Sequence, residues 1–270
     1  MVNIVCIDVD GTLVGSGGRI AERVWPAVAA ARAAGLHLVL CSGRPAFGIA
    51  RSYAERLDGG GWHIFQNGAS LLGLGTGESR SASLPASVVA ALRARSASTG
   101  RILEMYTDTE YTVEWASDRA ERHAALLGVP FAPRSFDTLV GPIVRAQWLI
   151  PFDELDALVR EPHEGLVLGP STSPAMPDTC FVNLTPTGVD KASGVRAVAD
   201  LYGSSMRDVM FVGDGLNDLE AMRVVGVPVA MANADEAVRA LTRHHVGQVD
   251  EGGLADALAF AIRTREAARE

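Results

Sequence analysis

Residues Asn3-Ile4-Val5-Cys6-Ile7-Asp8-Val9-Asp10-Gly11-Thr12-Leu13 decide the fold. An apolar run of strand length, Asn3 to Ile7, leads straight into two carboxylates and a glycine. In open α/β sheets ligands bind beyond the carboxyl ends of the strands, which is where Asp8 and Asp10 fall. Alternate side chains of an extended chain share a face, so Asp8 and Asp10 point one way and Val9 the other. Two close carboxylates repel, which raises a pKa. A bound Mg²⁺ removes that penalty, since it takes one or two carboxylates together with waters and phosphate oxygens. The pair suits attack by one carboxylate on phosphorus through an aspartyl-phosphate. The other would protonate the leaving oxygen and then activate water. Taken alone, the stretch also reads as an ordinary Asp-Gly turn.

Outward from it, strand-length apolar segments alternate with Ala-rich helical ones, the pattern of an α/β protein with a doubly wound parallel sheet. The sequence predicts a helix over Ala21 to Ala34 with Gly35 as its stop. A strand over Leu36 to Leu40, a helix over Pro45 to Leu57 with Pro in its first turn, and a short strand over His63 to Phe65 follow. The same grammar returns late in the chain. Helices are expected at Ala192–Leu201, Leu216–Met222, Asp235–Leu241 and Gly252–Arg263, and strands at Asp208–Val212 and Val227–Met231. The middle is mixed. Strands are expected at Arg101–Met105, Tyr111–Trp115, Ala146–Ile150 and Leu166–Leu168, and helices at Ala86–Ala97, Asp118–Leu127 and Asp153–Val159. The Pro- and Ser-rich stretch Gly169 to Thr179 reads as a loop. The expected organisation is a core over 1–83 and 184–270, with an α+β insert over 84–183.

Three more segments carry candidate chemistry. In Phe211-Val212-Gly213-Asp214-Gly215-Leu216-Asn217-Asp218 an apolar strand again ends on a glycine and a carboxylate. Asp214 and Asp218, four apart, share a face of any helical turn there. Two more acids near the first pair call for a cation, although one of them also fits as a helix N-cap. In Leu40-Cys41-Ser42-Gly43-Arg44-Pro45 a strand ends on a hydroxyl and a glycine before a Pro-initiated helix, and helix N-termini bind phosphate. A plain helix cap explains that segment equally well. Lys191 is the single lysine in a chain that otherwise uses arginine. At a helix start its charge opposes the dipole, so it needs an anionic partner unless it snorkels to water.

Taken together, DVDGT (Asp8 to Thr12), Ser42, Lys191 and GDGLND (Gly213 to Asp218) resemble the haloacid dehalogenase (HAD) superfamily of phosphohydrolases. Lys191 lies 149 residues after Ser42, so the insert falls between those two motifs. That placement is similar to the C2-capped branch and, within it, the Cof-type phosphatases. Gln66-Asn67-Gly68-Ala69 and Met231-Ala232-Asn233-Ala234 resemble further signatures of that branch. Gln66 stands where Glu is common, Ala232 where Gly is common, and Ser42 where Thr is frequent.

The resemblance implies a Rossmann-like core with an α+β C2-type cap that closes over the active site. It implies Asp8 as nucleophile and Mg²⁺ ligand, and Asp10 as general acid/base that also binds Mg²⁺ through its backbone carbonyl. It implies Asp214 as a further ligand and Asp218 as a support for the metal site or for Lys191. Ser42, Gly43, Lys191 and Asn217 would hold the phosphoryl group. Arg44 and Asn67 would be secondary substrate contacts. The activity implied is Mg²⁺-dependent hydrolysis of a small phosphorylated metabolite, with sugar phosphates foremost. Phosphoryl transfer is mainly positioning and charge neutralisation, which this residue set supplies. A phosphotransferase or phosphomutase, similar to the C2-capped phosphomannomutases, would use the same two aspartates. A non-catalytic phosphometabolite sensor would not need them.

The net charge of −8, with no Lys/Arg run, argues against nucleic acid as partner. No apolar run reaches the ~18–20 residues of a membrane span. Three cysteines without a CxxC pair, and a chain that opens on a strand, fit a reduced cytoplasmic protein without a signal peptide. Cys41 is read as a small buried apolar residue, and Trp115, Trp148 and Tyr111 as cap core. His123 and His163 are read as structural or solvated, and the adjacent His244 and His245 as an edge or surface pair that points apart.

Overall fold

Strand β1 (Ile4–Ile7) is buried at all four residues, as a parallel strand covered on both faces must be. The computed structural model describes residues 1–173 and 175–267. The chain divides into two compact units. One comprises Met1–Gly43, Tyr53–Ser79 and the chain from Asp190 onward; the other comprises Arg44–Ser52 and Arg80–Val189.

In the first unit β1 is followed by α1 (Val24–Ala33) and β2 (His37–Leu40). Helix α2 (Ile49–Asp58), which joins this unit only from Tyr53 on, then leads to β3 (Trp62–Phe65), β4 (Ser70–Gly73) and β5 (Glu78–Ser79). The second unit supplies α3 (Ala86–Thr99), β6 (Ile102–Tyr106), β7 (Tyr111–Val113), α4 (Asp118–Leu127) and β8 (Arg145–Ile150). It ends with α5 (Leu155–Arg160), β9 (Leu166–Ser173) and β10 (Met176–Pro186). The chain returns through α6 (Lys191–Leu201), β11 (Val209–Gly213), α7 (Leu219–Val224) and β12 (Val227–Met231). Helix α8 (Glu236–Leu241), β13 (His244–Val246) and α9 (Gly253–Ala267) complete it.

The first unit is built on a parallel sheet in the order β13-β12-β11-β1-β2. Ile4 stands opposite Val209 on one side and His37 on the other. Parallel neighbours need crossovers, which the helices provide. Ile4, Cys6, Val39, Cys41, Val195, Val198 and Phe211 share one core cluster. All three cysteines are buried and reduced.

Helix α1 stops where Gly35 takes φ +80°, the left-handed value glycine accepts. Helix α2 begins four residues later than the Pro45 start expected from sequence. Gly48, at φ +62°, interrupts the run, and a Cβ there would lie 2.5 Å from the Leu127 carbonyl oxygen. Strand β3 does not extend the parallel ladder. It pairs antiparallel with β4 and meets the end of β2 through a single bridge, Cys41 to Ile64.

The second unit is an antiparallel sheet, β7-β6-β8-β10-β9. One face packs Leu103, Met105, Ala146, Trp148, Val182 and Leu184 against Leu92 of α3. The stretch Gly169–Thr179, expected as a loop, instead forms most of a hairpin. Its prolines escape the usual rule for two reasons. Pro170 sits on β9, an edge strand, and Pro177 falls where the register shifts between Met176 and Cys180. Pro174 lies outside the described residues. No helix among the described residues is long and apolar enough to cross a membrane.

Trp148 is fully buried in this second core. Trp148→Ala should lower stability by about 3–5 kcal/mol, as large-to-small core changes do. Urea unfolding followed by circular dichroism reads the loss; a change below about 1 kcal/mol would mean the face is not close-packed.

Candidate active site

The parallel pairing of β1 and β11 continues one residue past the strand, where the Asp8 N–H donates to the Val212 carbonyl at 3.0 Å. Asp8 is buried, Val9 fully so, and Asp10 exposed. The chain then turns tightly, with the Leu13 and Val14 N–H groups both donating to the Val9 carbonyl. Gly11 takes φ +88°, and a Cβ on it would stand 2.0 Å from Oδ2 of Asp214. Glycine is therefore required twice over, by the backbone and by the neighbour.

Asp214 is held from several sides. Thr12 Oγ1 donates to its Oδ1 at 2.9 Å, and the Asp235 N–H donates to its carbonyl at 2.9 Å. Asn233 Nδ2 donates to the Gly11 carbonyl at 2.8 Å and reaches Asp214 Oδ2 at 3.5 Å. Asn233 is itself fixed by the Val249 N–H on its Oδ1. Thr12 and Asn233 carry no role in the sequence reading. Asn233, two residues past the end of β12, obeys the same strand-end rule that marks Asp8 and Asp214.

Asp218 is fully buried. Its Oδ2 accepts from the Asp214 and Gly215 N–H groups, each at 3.0 Å, and its Oδ1 accepts from Lys191 Nζ at 2.6 Å. The same Nζ donates to Asp8 Oδ1 at 2.5 Å. Lys191 heads α6, and a capping box fixes that helix start: Asp190 accepts from the Ser193 N–H, and Ser193 Oγ accepts from the Asp190 N–H.

Burial disfavours the Lys191 charge, yet Asp218 and Asp8 outweigh it and hold the ammonium protonated beyond the ordinary lysine range. Burial pushes the Asp8 carboxyl well above the usual carboxylate range. Lys191 pulls it back, and Asp218, Asp214 and Asp10 push it up again. Burial likewise carries Asp214 up to about 6, against the Thr12 hydrogen bond that lowers it.

Asp8, Asp214 and Asp218 can each offer a carboxylate oxygen, all within 4.8 Å of one another. The Asp10 carboxylate is not part of that trio. Hard oxygen donors in excess of the one ammonium are a set that suits a divalent cation.

Around the end of β2 a second group forms. The Ser42 N–H donates to the Ile64 carbonyl at 2.9 Å, and the Asn67 N–H to the Ser42 carbonyl at 3.0 Å; Ser42 is buried. Asn67 takes φ +54°, which asparagine tolerates, and its Oδ1 accepts from Asn217 Nδ2 at 3.3 Å. A Cβ on Gly43 would lie 3.0 Å from that same Oδ1. Gly43, Asn67 and Asn217 are thus brought together. Arg44 is counted with the second unit.

Residues 5–87 and 176–258 match the haloacid dehalogenase-like hydrolase family. A Bacillus subtilis protein, provisionally named as a phosphatase, is 27% identical over 272 residues, covering 96% of this chain and 97% of its own. A haloacid dehalogenase-like hydrolase from Bacteroides thetaiotaomicron superposes with a TM-score of 0.84 at 25% identity, covering 96% of this chain and 99% of its own. A structure described as a HAD subclass IIB sugar phosphatase superposes at 0.80 with 23% identity, covering 96% and 99%. The chain belongs to the haloacid dehalogenase-like hydrolases. Within them it falls in the Cof-type branch, a branch of phosphoric monoester hydrolases, and its architecture is the α/β core with a separate α+β cap.

The raised Asp214 carboxyl makes a prediction with a definite sign. Without a cation the fold binds a proton at Asp214 that the unfolded chain has released, over the interval from about pH 4 to about pH 6. Stability of the metal-free protein should fall as pH rises through that interval, and a divalent cation should compensate. Scanning calorimetry should therefore show Mg²⁺ raising Tm more at pH 7.5 than at pH 5. Equal shifts at the two pH values would remove Asp214 from the cation site. Gly11→Ala, which drives a methyl into the Asp214 carboxylate, should abolish the Mg²⁺-dependent shift at pH 7.5.

Proposed function

We propose that the protein is a Mg²⁺-dependent phosphatase of a small phosphorylated metabolite, a sugar phosphate foremost, acting through an aspartyl-phosphate on Asp8. The observation that carries this reading is the Lys191 ammonium bonded to Asp8 Oδ1 and Asp218 Oδ1 beside Asp214. Lysine engages Oδ1 of Asp8, which leaves Oδ2 as the attacking atom. Asp8 Oδ2 forms the bond to phosphorus as the bond to the leaving oxygen breaks, and Asp10 gives that oxygen its proton. Asp10, exposed and two residues on, then takes a proton from water. That water attacks phosphorus, the bond to Asp8 breaks, and inorganic phosphate leaves.

Ser42, Gly43, Lys191 and Asn217 would hold the phosphate oxygens, with Asn67 and Arg44 as further substrate contacts. Asp8, Asp214 and the Asp10 carbonyl would hold Mg²⁺, which supplies charge neutralisation at the phosphoryl group. Asp218 supports that site from behind: its oxygens are taken up by Lys191 and two backbone N–H groups. The sugar phosphatase among the structural neighbours favours sugar phosphates as the first class to assay. Three buried thiols fit work in a reducing cytoplasm.

The test is phosphate release from p-nitrophenyl phosphate and from panels of sugar phosphates, nucleotides and cofactor phosphates, with Mg²⁺ or with EDTA. Turnover should require Mg²⁺. It should fall at least ~10³-fold in Asp8→Asn, and ~10²–10⁴-fold in Asp10→Asn, the usual span for loss of a general acid/base. Folded, Mg²⁺-loaded protein that releases no phosphate from any of these compounds would overturn the reading.

A further inference from the structure

A cleft of about 440 Å³ opens in the first unit beside β13, the edge strand of the parallel sheet, with α9 as its other wall. It shares no residue with the Asp8 group. Arg243, His244 and His245 line it from the strand side, and Asp256, Phe260 and Arg263 from the helix. In a chain of net charge −8, two arginines and the His244 ring stand around one concavity, while the His245 ring turns to the carbonyls at the end of α8.

The charge balance there is uneven. Arg243 and Arg263 are exposed, and neither is paired with a carboxylate among the described residues. Asp256 does not offset them, because Arg23 already bridges it at 2.5 Å. His245 Nε2 donates to the Arg239 and Thr242 carbonyls, which fixes the ring and leaves Nδ1 as its second polar atom. The His244 ring leans on Phe260 at a centroid distance of 4.9 Å, so the cleft also carries an aromatic wall.

Size and chemistry narrow the occupant. The volume falls in the ~300–1,000 Å³ range of small-molecule sites. A bare phosphate would leave most of it as water. Guanidinium groups recognise phosphate oxygens in bidentate fashion, and a planar ring finds its partner in Phe260 and His244. We propose that this cleft is a second ligand site, for a nucleoside phosphate whose phosphates meet Arg243 and Arg263 and whose base lies against Phe260.

Isothermal titration with ADP and with inorganic pyrophosphate, in EDTA to suppress turnover, tests it. ADP should bind the wild-type protein at least tenfold more tightly than pyrophosphate, and more weakly in 300 mM than in 50 mM salt, as charge pairing requires. Arg243→Glu/Arg263→Glu should weaken ADP binding at least tenfold with Tm unchanged. Arg243→Gln/Arg263→Gln serves the same purpose if charge reversal lowers Tm. ADP binding that survives these substitutions would place the nucleotide elsewhere and overturn the proposal. Pyrophosphate binding as tight as ADP would overturn the nucleoside assignment, and no ADP binding at millimolar concentration would overturn the site itself.

Discussion

Lys191 carries a full charge into a position only 1% exposed, and the carboxylates that receive it come from the end of β1 and from the turn that follows β11. Removing an ion from water costs several kcal/mol unless it is closely paired, so this ammonium depends on β1 and β11 ending where they do. The dependence is mutual, because without the lysine two buried carboxylates would face each other. Residue type matters as well. An ammonium is a compact charge with three donors and can sit between two oxygens at 2.5 and 2.6 Å, whereas a planar guanidinium fork cannot. A chain that uses arginine everywhere else keeps its single lysine at this point.

The surrounding backbone is shaped to hold that arrangement. A Cβ on Gly68 would meet the Asp190 carbonyl oxygen at 2.0 Å, and one on Gly194 would meet Ile64 at 2.8 Å. The first turn of α6 can therefore lie directly on the loop after β3, which brings Lys191 to depth. Gly213 is tight for the same reason, with Asp218 Oδ2 at 2.5 Å from where its Cβ would be. Such close approach leaves little freedom to Asp8, Asp214 and Asp218. Electrostatic catalysis needs charges fixed before the reaction begins rather than reorganised during it.

The parts of this plan that the sequence shows are those set by strand ends. Asp8, Ser42 and Asp214 each follow an apolar run, and one rule about parallel sheets locates all three. The helices expected from Asp118 and Ala86 do start there, the first capped by the Ser117 side chain and the second directly after Pro85. What stayed hidden depends on partners distant in sequence. Gly48 ends the reach of Pro45 toward a helix only because its φ is positive. Strand β10 is masked by prolines that an edge and a bulge accommodate. Thr12 and Asn233 lie inside motifs the sequence shows, yet their roles stay hidden there, since what they grip is Asp214, 202 and 19 residues away.

The second unit offers an instructive contrast in buried polarity. Glu104 has no exposure, yet it accepts from Tyr106 Oη at 2.5 Å, Gln147 Nε2 at 3.2 Å and His123 Nδ1 at 2.9 Å. Gln147 stands directly opposite it across β6 and β8, and His123 reaches in from α4. Every partner comes from the same unit, so the network orders that fold with no external ligand, and His123 takes the structural role its isolation in the sequence suggested. The Asp8–Asp214–Asp218 trio is different, because its negative charge exceeds what Lys191 can answer. A buried polar group whose partners are all in place belongs to the architecture. Charge left over after every internal partner has been assigned is what a fold presents to a ligand.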